Sequence, residues 1–261
     1  MANNIIAHFN EYFEMIPATS AELKNEVYKL RYQVYCIENK FLNSEDYPDN
    51  LEVDDFDPQS VHYLIRHRKS GEYAATVRLI LPDTDNPDIL FPLELHCEID
   101  DFSIMQSINR KQLGEVSRFC VSKAFKKRKH EVNTLETINT TWPDYFTLNE
   151  RRTFPHIITL ALISCFIKAS HENDIHYLFA SMEPSFFRFV LPLGITLIKI
   201  GPLVDYHGNR WPAVIKITDI LEGVAEKKPD IWNLLTNEGC FEQTRPIEKP
   251  DKTLGSNSWV G

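Results

Sequence analysis

Residues 115–119 read Glu-Val-Ser-Arg-Phe and place a carboxylate, a hydroxyl and a guanidinium in one short stretch. The stretch predicts a β-strand, in which Glu115, Ser117 and Phe119 alternate with Val116 and Arg118. A glutamate and an arginine close together in one strand suit the acylation of an amine. Buried charges need partners, so the two residues can equally form a structural ion pair with each other. The pentapeptide alone leaves both interpretations open.

Three further segments carry charges within or beside apolar patterns. Arg31 interrupts Leu-Arg-Tyr-Gln-Val-Tyr, and Arg78 interrupts Val-Arg-Leu-Ile-Leu-Pro. Glu52, Asp54 and Asp57 lie in Glu-Val-Asp-Asp-Phe-Asp. Each segment is a weak signal alone, because the aspartates can be loop carboxylates or a helix cap. The acidic spacing is not that of a calcium-binding loop, so we predict no metal site.

Composition restricts the class of protein. The chain has 261 residues, 43% hydrophobic and 25% charged, which is typical of globular domains. Its net charge of −9 disfavours nucleic acid as a partner. We find no apolar run of the ~20 residues that a membrane helix needs and no signal peptide, so we expect a cytoplasmic protein. The five scattered cysteines argue against a disulfide framework or a zinc site, and Cys120 has no neighbouring histidine to make it a nucleophile.

The order of predicted elements indicates an α/β (α+β) fold with helices over a mainly antiparallel sheet. A capping box at Thr19 and Glu22 predicts a helix over 20–38. We predict strands at 8–16, 61–67, 73–81, 113–122, 176–182, 195–200 and 211–218, and further helices at 155–170, 184–191 and 219–236. We expect a single domain over residues 1–240 and a flexible tail over 241–261. No glycine-rich nucleotide loop is present, which disfavours dinucleotide and P-loop enzymes.

In this order the charged segments resemble the acyl-homoserine-lactone synthases and the related N-acyl amino acid synthases. The matching residues are Arg31, Glu52-x-Asp54-x-x-Asp57, Arg78-Leu-Ile-Leu-Pro82 and Glu115-x-Ser117-Arg118-Phe119. The nearest resemblance is to acyltransferases of PEP-CTERM/exosortase systems, which share Leu-Arg-Tyr-Gln-Val-Tyr-Cys and the Tyr206-His207-Gly208 turn. The resemblance implies a GNAT-like fold, in which the donor's pantetheine arm enters between two splayed central strands.

The resemblance also implies a reaction, N-acyl transfer from an acyl thioester to the amine of a small acceptor. Glu115 is then the candidate base, and Arg118 orients it or binds an acceptor carboxylate. The implied acceptor-side residues are Arg31, Asp54, Asp57 and Arg78. The implied donor-side residues are Ser117, Phe119, Cys120 and Val121. No bound cofactor is expected. The co-substrate is an acyl thioester, either of acyl carrier protein or of coenzyme A.

The choice of donor depends on the segment after this strand. GNAT enzymes that use coenzyme A carry a glycine-rich pyrophosphate loop there, whereas Val121–Lys129 contains no glycine. It contains five cations instead: Lys123, Lys126, Lys127, Arg128 and Lys129. Such a run is usually a solvated loop, but it can also dock an acidic protein. We therefore predict acyl carrier protein as the partner in preference to coenzyme A.

The acceptor remains open at this stage. The segment 123–152 is longer than in compact lactone synthases, which favours an amino acid over S-adenosylmethionine. Two alternatives stay in view: a lactone synthase that uses S-adenosylmethionine, and a GNAT-like acyl-binding module without catalysis. Turnover separates the module from an enzyme.

Overall fold

The structure is a computed structural model that describes residues 5–100, 102–126, 148–206 and 208–241. Lys127, Arg128 and Lys129 of the cationic run and His207 lie outside the described residues. The predicted tail lies outside them as well, apart from Phe241. The division into one domain and a tail therefore stays a prediction.

The described strands form one open, mainly antiparallel sheet in the order β1-β2-β3-β4-β5-β8-β6, with β7 paired to β8. Only the central pair, β4 and β5, runs parallel. The strands are β1 Phe13–Pro17, β2 Ser60–His67, β3 Tyr73–Ile80, β4 Leu113–Val121, β5 Tyr177–Met182, β6 Ile198–Lys199, β7 Val204–Asp205 and β8 Asn209–Lys216. This topology confirms the predicted fold class.

Helices cover both faces of the sheet. The first is α1 Ile5–Tyr12, and α2 Ala21–Tyr32 continues as a π-helix over Gln33–Glu38. The others are α3 Pro92–His96, α4 Phe102–Ser107, α5 Lys123–Lys126, α6 Leu148–Glu172, α7 Pro184–Val190, α8 Ile217–Lys227 and α9 Pro229–Thr236. The largest apolar cluster places α6, α8 and α9 against one face, whereas α2 and α3 belong to two smaller clusters.

Local sequence signals located most elements but not all of them. Helix α2 begins near the predicted start, but its cap is Ser20, which accepts the N–H of Leu23, and not Thr19 as predicted. The strand predicted at 8–16 is wrong in its first half, because residues 8–12 belong to helix α1. Phe9 and Phe13, four residues apart, are both buried and stack at 6.1 Å where the helix meets β1. The last predicted helix is two helices, since Pro229 has no N–H to continue the first one. Helices α3 and α4 were not predicted.

The parallel pair of strands separates along its length, and this opening shapes the site. β4 and β5 pair only from Leu113↔Tyr177 to Val116↔Ala180. Beyond those residues β4 stays with β3, and β5 stays with β8. The gap between the separating strands connects the two faces of the sheet. Within the ranges given above, the structure contains no helix long and apolar enough to span a membrane.

Candidate active site

Charges from four elements meet in one buried network. The guanidinium of Arg31, 0% exposed, binds the carboxylates of Glu52 and Asp57, the latter at 2.6 Å. Arg78 reaches Asp54 at 2.5 Å and Asp57 at 2.9 Å. Burial disfavours the charged carboxylates of Glu52 and Asp57, but the arginines outweigh it and lower each pKa to about 2. The network therefore holds α2, the 52–57 loop, β3 and β4 together in the ionised state.

A β-bulge brings Arg118 into this network. Arg78 pairs with Ser117 and Thr76 pairs with Cys120, so β4 has one residue more than β3 over this stretch. Arg118 adopts φ +50°, a conformation that side-chain-bearing residues rarely take. Its guanidinium binds Glu52 and Asp54 at 2.8 and 2.9 Å. The regular alternation expected for residues 115–119 therefore ends at Ser117, and Arg118 pairs with the acidic loop rather than with Glu115.

Glu115 is buried without an ion pair to this network, and its pKa shifts in the opposite direction from those of Glu52 and Asp57. Its side chain accepts the N–H of Leu93 in α3 at 2.9 Å, and the residue is 4% exposed. Burial raises the pKa of Glu115 to about 8, against the opposing effects of the Leu93 hydrogen bond and of Arg78. A carboxyl group with this pKa can accept a proton near neutral pH.

A polar cleft of about 360 Å³ lies over these charges. Glu115, Arg118, Arg78 and Asp54 all line it. Of the four residues predicted to lie on the acceptor side, Asp54 is the most accessible, with a side chain that is 25% exposed. Arg31 and Asp57 are buried beneath it and order the loop, since Asp57 also accepts the N–H of Asp54 at 2.8 Å. The acceptor-binding roles themselves stay predictions.

An apolar pocket of about 230 Å³ lies on the other side of the gap between β4 and β5. Val116, Phe119 and Ser181 line both spaces, so the pocket and the cleft meet where the strands separate. Deeper in the pocket the walls come from α6, α7, α8 and the segment between α7 and β6: Ile163, Phe166, Val190, Ile195 and Ile220. The pair of spaces suits a molecule with one polar and one hydrocarbon end.

The donor-side candidates divide between the two spaces. Ser117 and Cys120 line the cleft, Val121 lines the apolar pocket, and Phe119 lines both. Ser117 accepts the Nε–H of Arg78 at 2.9 Å. Burial raises the pKa of the Cys120 thiol to about 12, so this thiol stays protonated and is a poor nucleophile.

The described part of the cationic run starts beside the gap. The N–H of Lys123 donates to the side chain of Glu38 at 2.9 Å, and its ammonium binds the Glu38 carbonyl. Lys126 lines both the cleft and the apolar pocket. The run therefore follows the strand end at which a donor would enter, and its docking role stays a prediction.

Several residues of the site carried too weak a signal to be named from sequence. Glu52 was part of the acidic motif, yet no role was predicted for it. His96 and Tyr206 stack at 4.9 Å on one wall of the cleft, and Glu183 and Arg210 form an ion pair at its boundary with the pocket. Tyr206 belongs to the Tyr-His-Gly motif noted in the sequence. Its stacking on His96 and the Glu183–Arg210 ion pair join distant segments, and such contacts leave no local sequence pattern.

One known protein family matches part of this chain. A family model described as an acetyltransferase (GNAT) domain matches residues 30–135, which include α2, the acidic loop, β3 and β4. Over residues 30–135 the chain is therefore similar to GNAT acetyltransferase domains. No curated protein matches the sequence.

Solved structures extend the likeness in fold to most of the chain. The acyl-homoserine-lactone (AHL) synthase LasI is 18% identical with a TM-score of 0.52, over 81% of this chain and 96% of LasI. The CoA-dependent acyl-homoserine lactone synthase BjaI, solved with SAM and isopentyl-CoA, is 17% identical with a TM-score of 0.51, over 87% of this chain and 89% of BjaI. At such identities the likeness shows the fold alone.

FeeM, an N-acyl amino acid synthase from uncultured soil microbes, is a more distant neighbour. It is 13% identical with a TM-score of 0.46, over 83% of this chain and 97% of FeeM, which is too weak to support a comparison of sites. The association with PEP-CTERM/exosortase systems stays a prediction.

Proposed function

We propose that this chain is an N-acyltransferase that moves a fatty acyl group from an acyl thioester to the amine of a small acceptor. The observation that carries the proposal is the position of Glu115. A buried carboxyl group with a pKa of about 8 lines a polar cleft, and an apolar pocket joins that cleft through the gap between β4 and β5. The acceptor occupies the cleft, and the acyl chain occupies the pocket.

The reaction then needs two proton transfers and no acyl-enzyme: the ammonium loses one proton before attack, and the nitrogen loses a second as the thiolate leaves and is protonated. The ionised Glu115 takes a proton from the acceptor ammonium, directly or through one water. The free amine attacks the thioester carbonyl, so that a C–N bond forms and the C–S bond breaks, with the thiol as leaving group. Backbone N–H groups along Phe119 to Val121 stabilise the oxyanion that forms on the way. Holding both substrates at the gap supplies much of the remaining rate.

Acyl carrier protein is the favoured donor. The segment after β4 lacks the glycines that would cradle a pyrophosphate and carries five cations instead. Lys126 lines both the cleft and the apolar pocket, where an acidic carrier would present its acyl arm. Because BjaI is described as CoA-dependent, coenzyme A is the competing donor within this fold.

An amino acid is the favoured acceptor, because the cleft offers both charges that an amino acid needs. The side chain of Asp54 is 25% exposed and can face an ammonium, while the guanidinium of Arg118 is 21% exposed and can hold a carboxylate. S-adenosylmethionine carries the same two groups, so the lactone-synthase reaction is the alternative.

The test is turnover by the purified chain. The protein is incubated with dodecanoyl thioesters of acyl carrier protein and of coenzyme A, each with a mixture of amino acids, diamines and S-adenosylmethionine. Mass spectrometry then identifies any new acyl amide or lactone, and released thiol is measured in parallel. We expect an N-dodecanoyl amino acid, formed faster from the carrier protein.

The other outcomes separate the alternatives. Formation of an acyl-homoserine lactone would show that the acceptor is S-adenosylmethionine and not an amino acid. Thiol release without an amide would mean hydrolysis only. Folded protein that forms no product and releases no thiol with either donor would leave the non-catalytic binding module as the better description.

A further inference from the structure

Arg210 on β8 lies at the boundary of the polar cleft and the apolar pocket and lines both. Its guanidinium donates in three directions. Nε donates to the carbonyl of Tyr206 at 2.9 Å, Nη1 to the carbonyl of Ser181 at 3.4 Å, and Nη2 to the carboxylate of Glu183 at 3.0 Å. One side chain on β8 therefore joins the residue after β7 to the junction of β5 and α7.

One of the three partners belongs to the acceptor wall of the cleft. Tyr206 follows β7 and stacks on His96 with ring centroids 4.9 Å apart and an interplanar angle of 18°. His96 ends α3, and Leu93 in the same helix donates its N–H to Glu115. The position of Tyr206 is thus linked by contacts to the helix that holds the candidate base.

The other two partners belong to the acyl side. Glu183 precedes α7, whose Phe186 and Val190 line the apolar pocket. Ser181 is the first residue of β5 beyond the pairing with β4. A chain that fills the pocket must pack against α7 and the separating strand, and both are held by the same guanidinium.

We propose that Arg210 is a positioning residue that couples the two spaces, so that an acyl chain in the pocket fixes the acceptor wall of the cleft. The inference rests on the proposed function, since it needs an acyl chain in the apolar pocket. Filling the pocket immobilises α7 and Glu183, and Arg210 passes this restraint to Tyr206 and His96. Donor and acceptor then bind with positive coupling, each strengthening the other.

The guanidinium group suits this task because its donors point in fixed directions in one plane. A lysine at the same position keeps the charge and can still face Glu183, but its single ammonium cannot reach all three acceptors in that geometry. Arg210→Lys is therefore the informative variant. Arg188→Lys, at an exposed position on α7, is the matched control.

The probe is 1-decanol, an uncharged mimic of an acyl chain. Calorimetry measures its binding, and hydrogen–deuterium exchange measures protection of the amides of Val204–Asp205 and Asn209–Trp211. In the wild type and in Arg188→Lys we expect decanol to slow exchange at these amides by about fivefold or more, the lower end of usual coupling. In Arg210→Lys decanol should bind with similar affinity but leave the exchange almost unchanged.

Each other result contradicts either the coupling or the acyl pocket. If decanol binds Arg210→Lys and still protects these amides as in the wild type, the coupling is wrong and the proposed function is unaffected. If decanol does not bind the wild type, the acyl pocket is wrong and the coupling falls with it. Should Arg210→Lys lose its fold, Glu183→Gln weakens the same link and must show the same loss of protection.

Turnover gives a second readout once a substrate pair is known. Arg210→Lys should raise the KM for the acceptor measured at saturating donor and leave kcat close to the wild-type value. A fall in kcat with unchanged KM would contradict a positioning role.

Discussion

The carboxyl group of Glu115 shows how a single side chain acquires a catalytic pKa from its surroundings. A glutamate in water has a pKa of about 4.3 and is therefore ionised at neutral pH. Here burial raises the pKa of Glu115 to about 8, and the N–H of Leu93 and the charge of Arg78 only partly oppose that effect. The nearby carboxylates of Glu52 and Asp57 have a pKa of about 2, because arginines surround them. The site thus keeps its structural carboxylates ionised and leaves Glu115 able to exchange a proton.

Glu115→Gln should lower acyl transfer by roughly 10²- to 10⁴-fold, the usual contribution of a general base. The amide has the same shape and can still accept the Leu93 N–H, but it cannot take the proton. In the wild type kcat/KM should rise with pH through about 8, because Glu115 acts when ionised. The pH profile of Glu115→Gln separates this rise from the titration of the amine, because the variant keeps the amine and lacks the carboxyl group. Wild-type turnover by the folded variant would rule Glu115 out as the base.

The same pKa predicts a pH-dependent effect on stability. The folded state holds the Glu115 proton more tightly than the unfolded state, since the pKa is about 8 rather than 4.5. The stabilisation is complete below pH 4.5 and is lost as the pH rises to 8. Glu115→Gln should therefore be more stable than the wild type at pH 9, by a few kcal/mol at most, and gain less at pH 5. Urea unfolding at both values measures the difference, and an equal effect at the two would contradict the raised pKa.

At the scale of elements, the acidic loop matters because it joins α2 to the bulge of β4. Glu52 is fully buried between Arg31 and Arg118. Glu52→Gln leaves the charge of Arg31 in the interior with one partner fewer, and breaking a buried pair in this way costs about 3–5 kcal/mol. Glu14→Gln is the control, since Glu14 pairs with half-exposed Arg66 and such a pair contributes at most about 1 kcal/mol. Denaturant midpoints of the two variants compare the costs, and similar values would show that the network is not a structural support.

The apolar pocket depends on the separation of β4 from β5 and on the small side chain of Ala180. Ala180→Leu adds three carbons to the wall of a pocket of about 230 Å³. We expect kcat/KM for a dodecanoyl donor to fall by about tenfold or more, and that for a butanoyl donor to change little, since each methylene in such a pocket matters by about 1–3 kcal/mol. Ala225→Leu, on the exposed side of α8, should leave both donors unaffected. An equal loss on both donors would place the acyl chain elsewhere.

Elements with local signals could be predicted from sequence, and those that depend on distant contacts could not. The start of α2 and the alternating hairpin β2–β3 each carry a local pattern, so their bounds were predicted to within one residue, although the cap is Ser20 rather than Thr19. The bulge at Arg118 depends on the register between β3 and β4, which no pattern within β4 records. The bond from Leu93 to Glu115 likewise depends on α3, a five-residue helix with no apolar period. The motif order therefore indicated which charged segments meet, whereas the pairing among them depends on the fold.

At the scale of the whole molecule, charge is distributed unevenly. The chain has a net charge of −9, yet residues 123–129 carry five cations after the strand that would receive the donor. A negative protein that repels acidic partners overall can still orient one through such a patch, because screening limits each interaction to about 10 Å at 0.1 M salt. The effect of the patch can be separated from that of the total charge by comparing two variants. One neutralises three cations of the patch, and the other neutralises three cations elsewhere.

Replacing Lys126, Lys127 and Arg128 by glutamine should weaken use of acyl carrier protein far more than use of a small thioester. We expect the KM for the acylated carrier to rise about tenfold at low salt and the difference to shrink as salt increases, since charge mainly assists encounter and register. The control replaces Lys29, Lys227 and Lys228, none of which lines the cleft, and both triple variants change the net charge from −9 to −12. Equal losses on both donors, or equal effects of the two triple variants, would show that this segment is not the docking surface and that total charge or fold integrity explains the change.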